Sequence, residues 1–341
     1  VNGAFLWVGA EGFGTYRFEG GRPIRRTESK PEGVATPGFV DLHVHGGFGV
    51  DFMASPTEDL ARWFDALDAL GYSALLPTTV TASAEDVLAA FSRCPDHPVV
   101  AGFHLEGPFL SSKFPGAQPP HAIADPPVGP SEWDAVLNDP RLRYITLAPE
   151  RPGALDLTQR LAGRGVTVSL GHTDAAYAEC RAAYNAGARH TTHTFNAMRG
   201  LHHREAGTVG FALAEAGVKA ELIYDRVHVC REAAAILVKA KGPEGLIAVS
   251  DATLAAGLPP GTRMTMWGLE CIVDDTSVRL AASGALAGST ITLLDAFRNL
   301  ADDFGPETAI RACSLNPWRV LHGHGRPNRI LFFDQRLERI A

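Results

Sequence analysis

The sequence predicts an α/β protein: a (β/α)8 TIM-type barrel joined to a small β domain built from both chain termini. Three observations carry this expectation. Eight apolar runs of strand length follow one another after Pro37, and helical patterns separate several of them. The first ~35 residues instead read as short β pieces punctuated by glycine.

In chain order, Phe5–Val8 and Thr15–Phe18 are the short β pieces, broken by Gly9, Gly12, Gly14, Gly20 and Gly21. The candidate barrel strands are Gly38–His45, Ser73–Val80, Val99–Glu106, Arg143–Ala148, Val166–His172, Arg189–Thr194, Lys219–Tyr224 and Leu246–Asp251. Pro56 opens a helix whose Leu60, Phe64, Leu67 and Leu70 share one face, and Gly71 stops it. Ser83 followed by Asp86 resembles a capping box, with Asp in place of Glu, ahead of Val87, Leu88 and Phe91. Ala176–Ala186 and Glu232–Lys241 are alanine-rich helices, each followed by Gly. A hairpin-like stretch covers Met264–Leu280, and helices lie near Ile291–Phe304 and Glu307–Leu315. Arg329–Phe333 is strand-like and able to pair with the N-terminal pieces. The expected division is therefore 1–36 with 322–341 for the β domain, and 37–321 for the barrel.

Composition bounds the function. The chain has 341 residues, 45% of them hydrophobic, and a formal charge of -7, ordinary globular values. An acidic surface argues against nucleic acid or an anionic membrane as partner, since both need a cationic stripe. No apolar run approaches the ~20 residues of a membrane span, and Val1 begins no signal-peptide pattern. The cysteines (Cys94, Cys180, Cys230, Cys271, Cys313) are far apart and form no CxxC pair, which fits a reduced cytoplasmic protein without a thiolate zinc site. Histidine is abundant, 13 residues beside only five lysines.

Several histidines fall where a barrel does chemistry. In Pro37-Gly-Phe-Val-Asp-Leu-His-Val-His45, strand alternation sets Asp41, His43 and His45 on one face, so two imidazoles can converge on one cation. Glu106 ends the third strand, His172 the fifth, His193 the sixth and Asp251 the eighth, all at the carboxyl ends that form the mouth of a barrel. Each residue alone has a structural explanation as a cap, an ion pair or a core hydrogen bond, and His104, one layer deeper than Glu106, is read that way. Together the ring favours a metal centre. Five ligands exceed what one tetrahedral ion needs. Either two divalent ions bind, or one binds and His43 and His45 serve otherwise. Zinc and iron both accept this ligand set. Asp251 is placed to take a proton from water and deliver it to a leaving group. Lys219 begins the seventh strand at the opposite end, so a carbamylated lysine bridge is not expected.

These motifs resemble the amidohydrolase superfamily and, more narrowly, its N-acetylglucosamine-6-phosphate deacetylase family. The resemblance runs from about Pro37 to Asn316, through the strand-one run to Asp51, His104-Leu-Glu-Gly-Pro108, Gly116-Ala-Gln118, Leu170-Gly-His-Thr173, Thr192-His-Thr-Phe-Asn-Ala-Met198, His202-His-Arg-Glu205, Ser250-Asp-Ala252 and Gly284–Ser289. It implies a barrel with a terminal β domain, a homodimer, and hydrolysis of an N-acetyl amino-sugar phosphate. Residue by residue it implies Glu106, His172 and His193 as core metal ligands, His43 and His45 as the pair for a second ion, and Asp251 as acid/base. It further implies Gln118, Asn196 and Ala197 as sugar contacts, and Arg204 and His228 as phosphate contacts. Asp225-Arg-Val-His228 departs from the family pattern, with Arg226 in place of Gly, either reshaping the turn or adding a third cation near the phosphate. Two alternatives remain at this level: an amidohydrolase acting on another N-acyl or cyclic amide, and a non-catalytic sugar-phosphate sensor.

Overall fold

A computed structural model describes residues 1–274 and 276–341. Six parallel strands form one curved sheet, in the order Leu246–Val249, Lys219–Ile223, His190–Thr191, Thr167–Leu170, Leu142–Leu147 and Phe103–Glu106. Phe39–Val44 and Tyr72–Pro77 pair in parallel beside it. Parallel bridges Leu75–Val100 and Thr78–His104 connect this pair to the Phe103–Glu106 strand. On the other side, the Asp251 N–H donates to the His43 carbonyl at 2.9 Å. The architecture is mixed α/β with a parallel half-barrel sheet.

A separate five-stranded sheet has the order Ile330–Asp334, Gly33–Pro37, Gly3–Gly9, Gly12–Glu19 and Arg22–Arg26. Phe5, Phe18 and Phe332 meet edge-to-face with centroids 5.1–5.8 Å apart, a geometry that suits the aromatic quadrupole. These contacts join the first and last parts of the chain into one small core.

Local signals explain the helices. Thr57–Leu70 buries Leu60, Trp63, Phe64 and Leu67, an i, i+3, i+4, i+7 stripe. Gly71 ends it in the left-handed region at φ 104°, where a Cβ would also press within 2.6 Å of Leu331. Ser83 Oγ accepts the Asp86 N–H at 3.1 Å at the start of Ala84–Arg93, but Asp86 answers the Ser83 hydroxyl (2.7 Å), so the box closes through side chains. The helix expected at Glu232–Lys241 extends to Arg231–Gly245, kinked at Gly242 ahead of Pro243. The hairpin-like stretch is three strands, Arg263–Met266, Leu269–Val273 and Val278–Leu280.

All eight expected barrel strands occur, but the first ends at Val44, one residue before His45, and three others stop two residues short of their candidate site residues. They end at Leu170, Thr191 and Val249 because His172, His193 and Asp251 take left-handed backbones, with φ of 46°, 29° and 48°. Each such conformation costs a non-glycine residue roughly 1–2 kcal/mol and concentrates at functional positions.

Candidate metal centre

Glu106 is the focus of the site. Its Oε1 lies 3.2 Å from both His172 Nε2 and His193 Nε2, and 3.4 Å from His43 Nε2. Its Oε2 lies 3.3 Å from His45 Nε2. Two three-residue groups result, His43–His45–Glu106 and Glu106–His172–His193, all buried and sharing the one carboxylate. Asp251 Oδ1 stands 3.4 Å from His43 Nε2 and 3.2 Å from His45 Nε2.

The donor chemistry fits cations. His45 Nδ1 meets the Thr78 carbonyl at 3.1 Å, and His172 Nδ1 meets the Phe114 carbonyl at 3.0 Å. A carbonyl only accepts, so both rings carry their proton on Nδ1 and turn a bare Nε2 inward. His43 does the same toward Glu221, 3.4 Å away. The inward nitrogens crowd in pairs, His43 to His45 at 3.2 Å and His172 to His193 at 3.1 Å. Facing lone pairs at that distance repel unless positive charge lies between them. Burial opposes protonation of His43 and His45, yet the neighbouring Glu106 and Asp251 carboxylates outweigh it. They hold His43 well above the ordinary imidazole range and His45 at about 9, so that without a metal a proton takes its place on the inward Nε2. Burial likewise opposes ionisation of Glu106, but the imidazoles around it keep its carboxyl well below the usual range. The cluster calls for cations, and the residues present can hold them.

A cavity of about 160 Å³ opens onto this cluster. Of the residues singled out from sequence, His45, Glu106, Gln118, His172, His193, Asn196, Ala197, His228 and Asp251 line it. His43 is fully buried behind the wall and reaches the same atoms. Gln118 donates from Nε2 to Glu106 Oε2 at 2.5 Å and accepts the Thr81 N–H on Oε1 at 2.7 Å, leaving one Nε2 hydrogen for another acceptor. The Asn196–Ala197 turn is bent by left-handed Phe195 (φ 84°) and Ala197 (φ 47°), and Asn196 Nδ2 donates to the His193 carbonyl at 3.2 Å. His228 is fixed by Asp225, whose Oδ2 is 2.6 Å from His228 Nδ1. Arg204 is not among the lining residues: it is exposed, with Nη1 2.9 Å from His203 Nε2.

Arg226 does not supply a cation to this cavity. It keeps the left-handed backbone (φ 65°) that suits glycine, and its Nε donates to Asp303 at 2.7 Å. His104 is the buried core residue expected, with Nδ1 3.0 Å from the Leu42 carbonyl and Nε2 2.8 Å from Thr146 Oγ1. Burial, followed by the charge of His43, keeps it well below the ordinary imidazole range. A larger neighbouring cavity of about 690 Å³, lined in part by His121 and Trp133, contains none of the converging ligands.

Two residues escaped the sequence reading. Trp267, at the tip of the Met266–Leu269 turn, walls both cavities, packs 5.5 Å from the His45 ring, and donates from Nε1 to Asp51 at 3.0 Å. Its place depends on a long-range turn that strand alternation does not reach. Glu221 was in reach: a carboxylate inside the apolar run Lys219–Tyr224 is a signal for a buried partner.

Residues 34–324 match the amidohydrolase family, and the chain belongs to that family of metal-dependent hydrolases. Particular relatives narrow the comparison. The chain is 37% identical over 308 residues to an N-acetylgalactosamine-6-phosphate deacetylase of Escherichia coli O157:H7, covering 88% of this chain and 81% of that one. It is 36% identical over 272 residues to an N-acetylglucosamine-6-phosphate deacetylase of Lysinibacillus sphaericus, covering 77% and 70%. Among solved structures, a mutant N-acetyl-D-glucosamine-6-phosphate deacetylase from Mycobacterium smegmatis, in complex with N-acetyl-D-glucosamine-6-phosphate, superposes with a TM-score of 0.85 at 32% identity. It covers 97% of this chain and 93% of that one.

Proposed function

We propose that this chain hydrolyses the N-acetyl group of N-acetylglucosamine 6-phosphate, giving glucosamine 6-phosphate and acetate in amino-sugar catabolism. The observation that carries the reading is the convergence of Glu106, His43, His45, His172 and His193 with Asp251 on one small cavity. One or two divalent ions, zinc or iron, would be held by those five ligands. When bound, such an ion polarises a carbonyl oxygen and makes water a stronger acid. Asp251 takes a proton from the attacking water and passes it to the amine nitrogen, since an amide anion is a poor leaving group. The free Nε2 hydrogen of Gln118 is available to the acetyl carbonyl, and Asn196 and Ala197 shape the sugar side.

His228 is the phosphate contact within the cavity; Arg204, on the adjacent exposed loop, would reach the phosphate from outside it. A charge-assisted hydrogen bond contributes about 1.5–3 kcal/mol. His228→Asn should therefore raise KM for the 6-phosphate by about 10- to 100-fold with kcat little changed. Arg204→Ala should act in the same direction; an unchanged KM would remove Arg204 from the phosphate site. The galactosamine epimer is the second reading, favoured by the 37% identity above. Comparing kcat/KM for the two 6-phosphates decides between them.

Eight strands linked by the bridges described act, in this reading, as a single (β/α)8 barrel over 37–321, with 1–36 and 322–341 as its small β domain. We further propose a homodimer in the cytoplasm, a setting consistent with five unpaired cysteines. Among the described residues, no helix is long and apolar enough to cross a membrane.

A further inference from the structure

Behind the metal ligands lies a carboxylate that the proposed reaction does not use. Glu221 is fully buried on the Lys219–Ile223 strand. Its ionic partner is His43, whose Nδ1 is 3.4 Å from Oε2. The same Oε2 accepts the His193 backbone N–H at 3.2 Å, and Oε1 accepts the Tyr144 hydroxyl at 2.5 Å. With its hydroxyl hydrogen donated to Glu221, Tyr144 accepts from His190 Nδ1 at 2.9 Å. Three donors thus fix a carboxylate that would otherwise cost several kcal/mol to bury.

This arrangement separates the two halves of the site. Donation from Nδ1 of His43 sets its tautomer and aims the bare Nε2 at Glu106 Oε1 and Asp251 Oδ1, each 3.4 Å away. His45 and His172 lean on neutral main-chain carbonyls, and His193 Nδ1 has no hydrogen-bond partner among the described residues. Among the described residues, a carboxylate therefore backs the His43 ring and no other ring of the four. It also alters the charge balance. Glu106, Asp251 and Glu221 are the buried carboxylates that touch the four imidazole rings, while Asp41 meets His43 only through its main-chain N–H. Against those three charges one divalent ion leaves one negative charge over, which favours a second cation.

We propose that Glu221 is the positioning residue of the His43–His45 half, and that its charge enables this half to hold a second divalent cation. The inference rests on the metal reading above and adds to it which residue makes the second ion possible. Glu221→Gln is the informative variant. Its amide keeps an acceptor for His43 Nδ1–H and His193 N–H, and its NH2 can donate to Tyr144, which then donates to His190. Hydrogen bonds are conserved and the charge is removed.

The experiment titrates chelator-stripped full-length wild type and Glu221→Gln with Zn2+ alone, following uptake by calorimetry and metal analysis, with melting of the stripped proteins as a fold control. Loss of an outer partner of a metal ligand typically weakens metal affinity 10- to 100-fold. The expected result is two ions in the wild type, with the weaker one held about 10- to 100-fold less tightly in the variant. The tighter ion and the melting of the stripped protein should stay unchanged. Wild-type zinc constants in Glu221→Gln, equal weakening of both ions, or a lowered melting temperature with unaltered uptake would each overturn the inference. A wild type that takes up a single ion also overturns it, while leaving the metal reading intact. A wild type that takes up none defeats the metal reading itself.

Discussion

Asp251→Asn is expected to lower kcat by about 10²- to 10⁴-fold, the range that a positioned general acid/base contributes, with KM near the wild-type value. The geometry isolates the proton-transfer role. The Asp251 main chain is pinned on both sides, its N–H donating to the His43 carbonyl at 2.9 Å and its carbonyl accepting the Ser289 N–H at 2.7 Å. Gly288 makes room for that turn, since a Cβ there would come within 2.9 Å of the Asp251 carbonyl. Asparagine tolerates the left-handed backbone that Asp251 adopts, so the loop should keep its shape. What the amide cannot do is accept a proton and return it. Cations at Glu106, His172 and His193 should be retained, because Asp251 contacts only the other imidazole pair. Metal analysis beside acetate-release kinetics checks both halves of the expectation. Near wild-type turnover would remove Asp251 from the acid/base role.

Glu106→Gln should be at least as damaging, for a different reason. Glu106 is the one residue present in both ligand groups, with one oxygen toward His172, His193 and His43 and the other toward His45. Gln removes the charge and directs amide hydrogens into a site built around inward-facing nitrogens. Both cations should be lost together, whereas His45→Asn should empty only one group. Lewis-acid stabilisation amounts to several kcal/mol. At tenfold per 1.36 kcal/mol, activity should fall by about 10³-fold or more. A Glu106→Gln protein that kept its metal and its activity would show that the carboxylate is not the shared ligand.

Much of this was legible in the sequence because barrel periodicity is simple. Alternation within Phe39–Val44 set His43 apart from its apolar neighbours, and the carboxyl ends of four further strands marked Glu106, His172, His193 and Asp251. The precise strand ends were not legible. His172, His193 and Asp251 leave their strands through left-handed backbones, which local propensity disfavours and only the surrounding packing sustains. Arg226 shows the same limit: its departure from glycine suggested another phosphate cation, but Asp303, 77 positions away in sequence, captures its guanidinium. Trp267 reaches the site from a turn far along the chain, held by Asp51, a contact for which no short-range pattern exists. Arg204 illustrates the converse. A motif match brought it to notice, while the folded chain leaves it on an exposed loop. Glu221 was legible in principle, since the acidic residue interrupts an apolar strand; what sequence could not supply was the contact to His43 that gives it meaning.

The most direct test of the central claim is acetate release from N-acetylglucosamine 6-phosphate by protein stripped with a chelator and then restored with Zn2+ or Fe2+, run beside the dephosphorylated sugar. Acetate should disappear on stripping, return with the metal, and form far more slowly without the phosphate. Release that survives complete metal removal, or equal rates with and without the phosphate, would contradict the account.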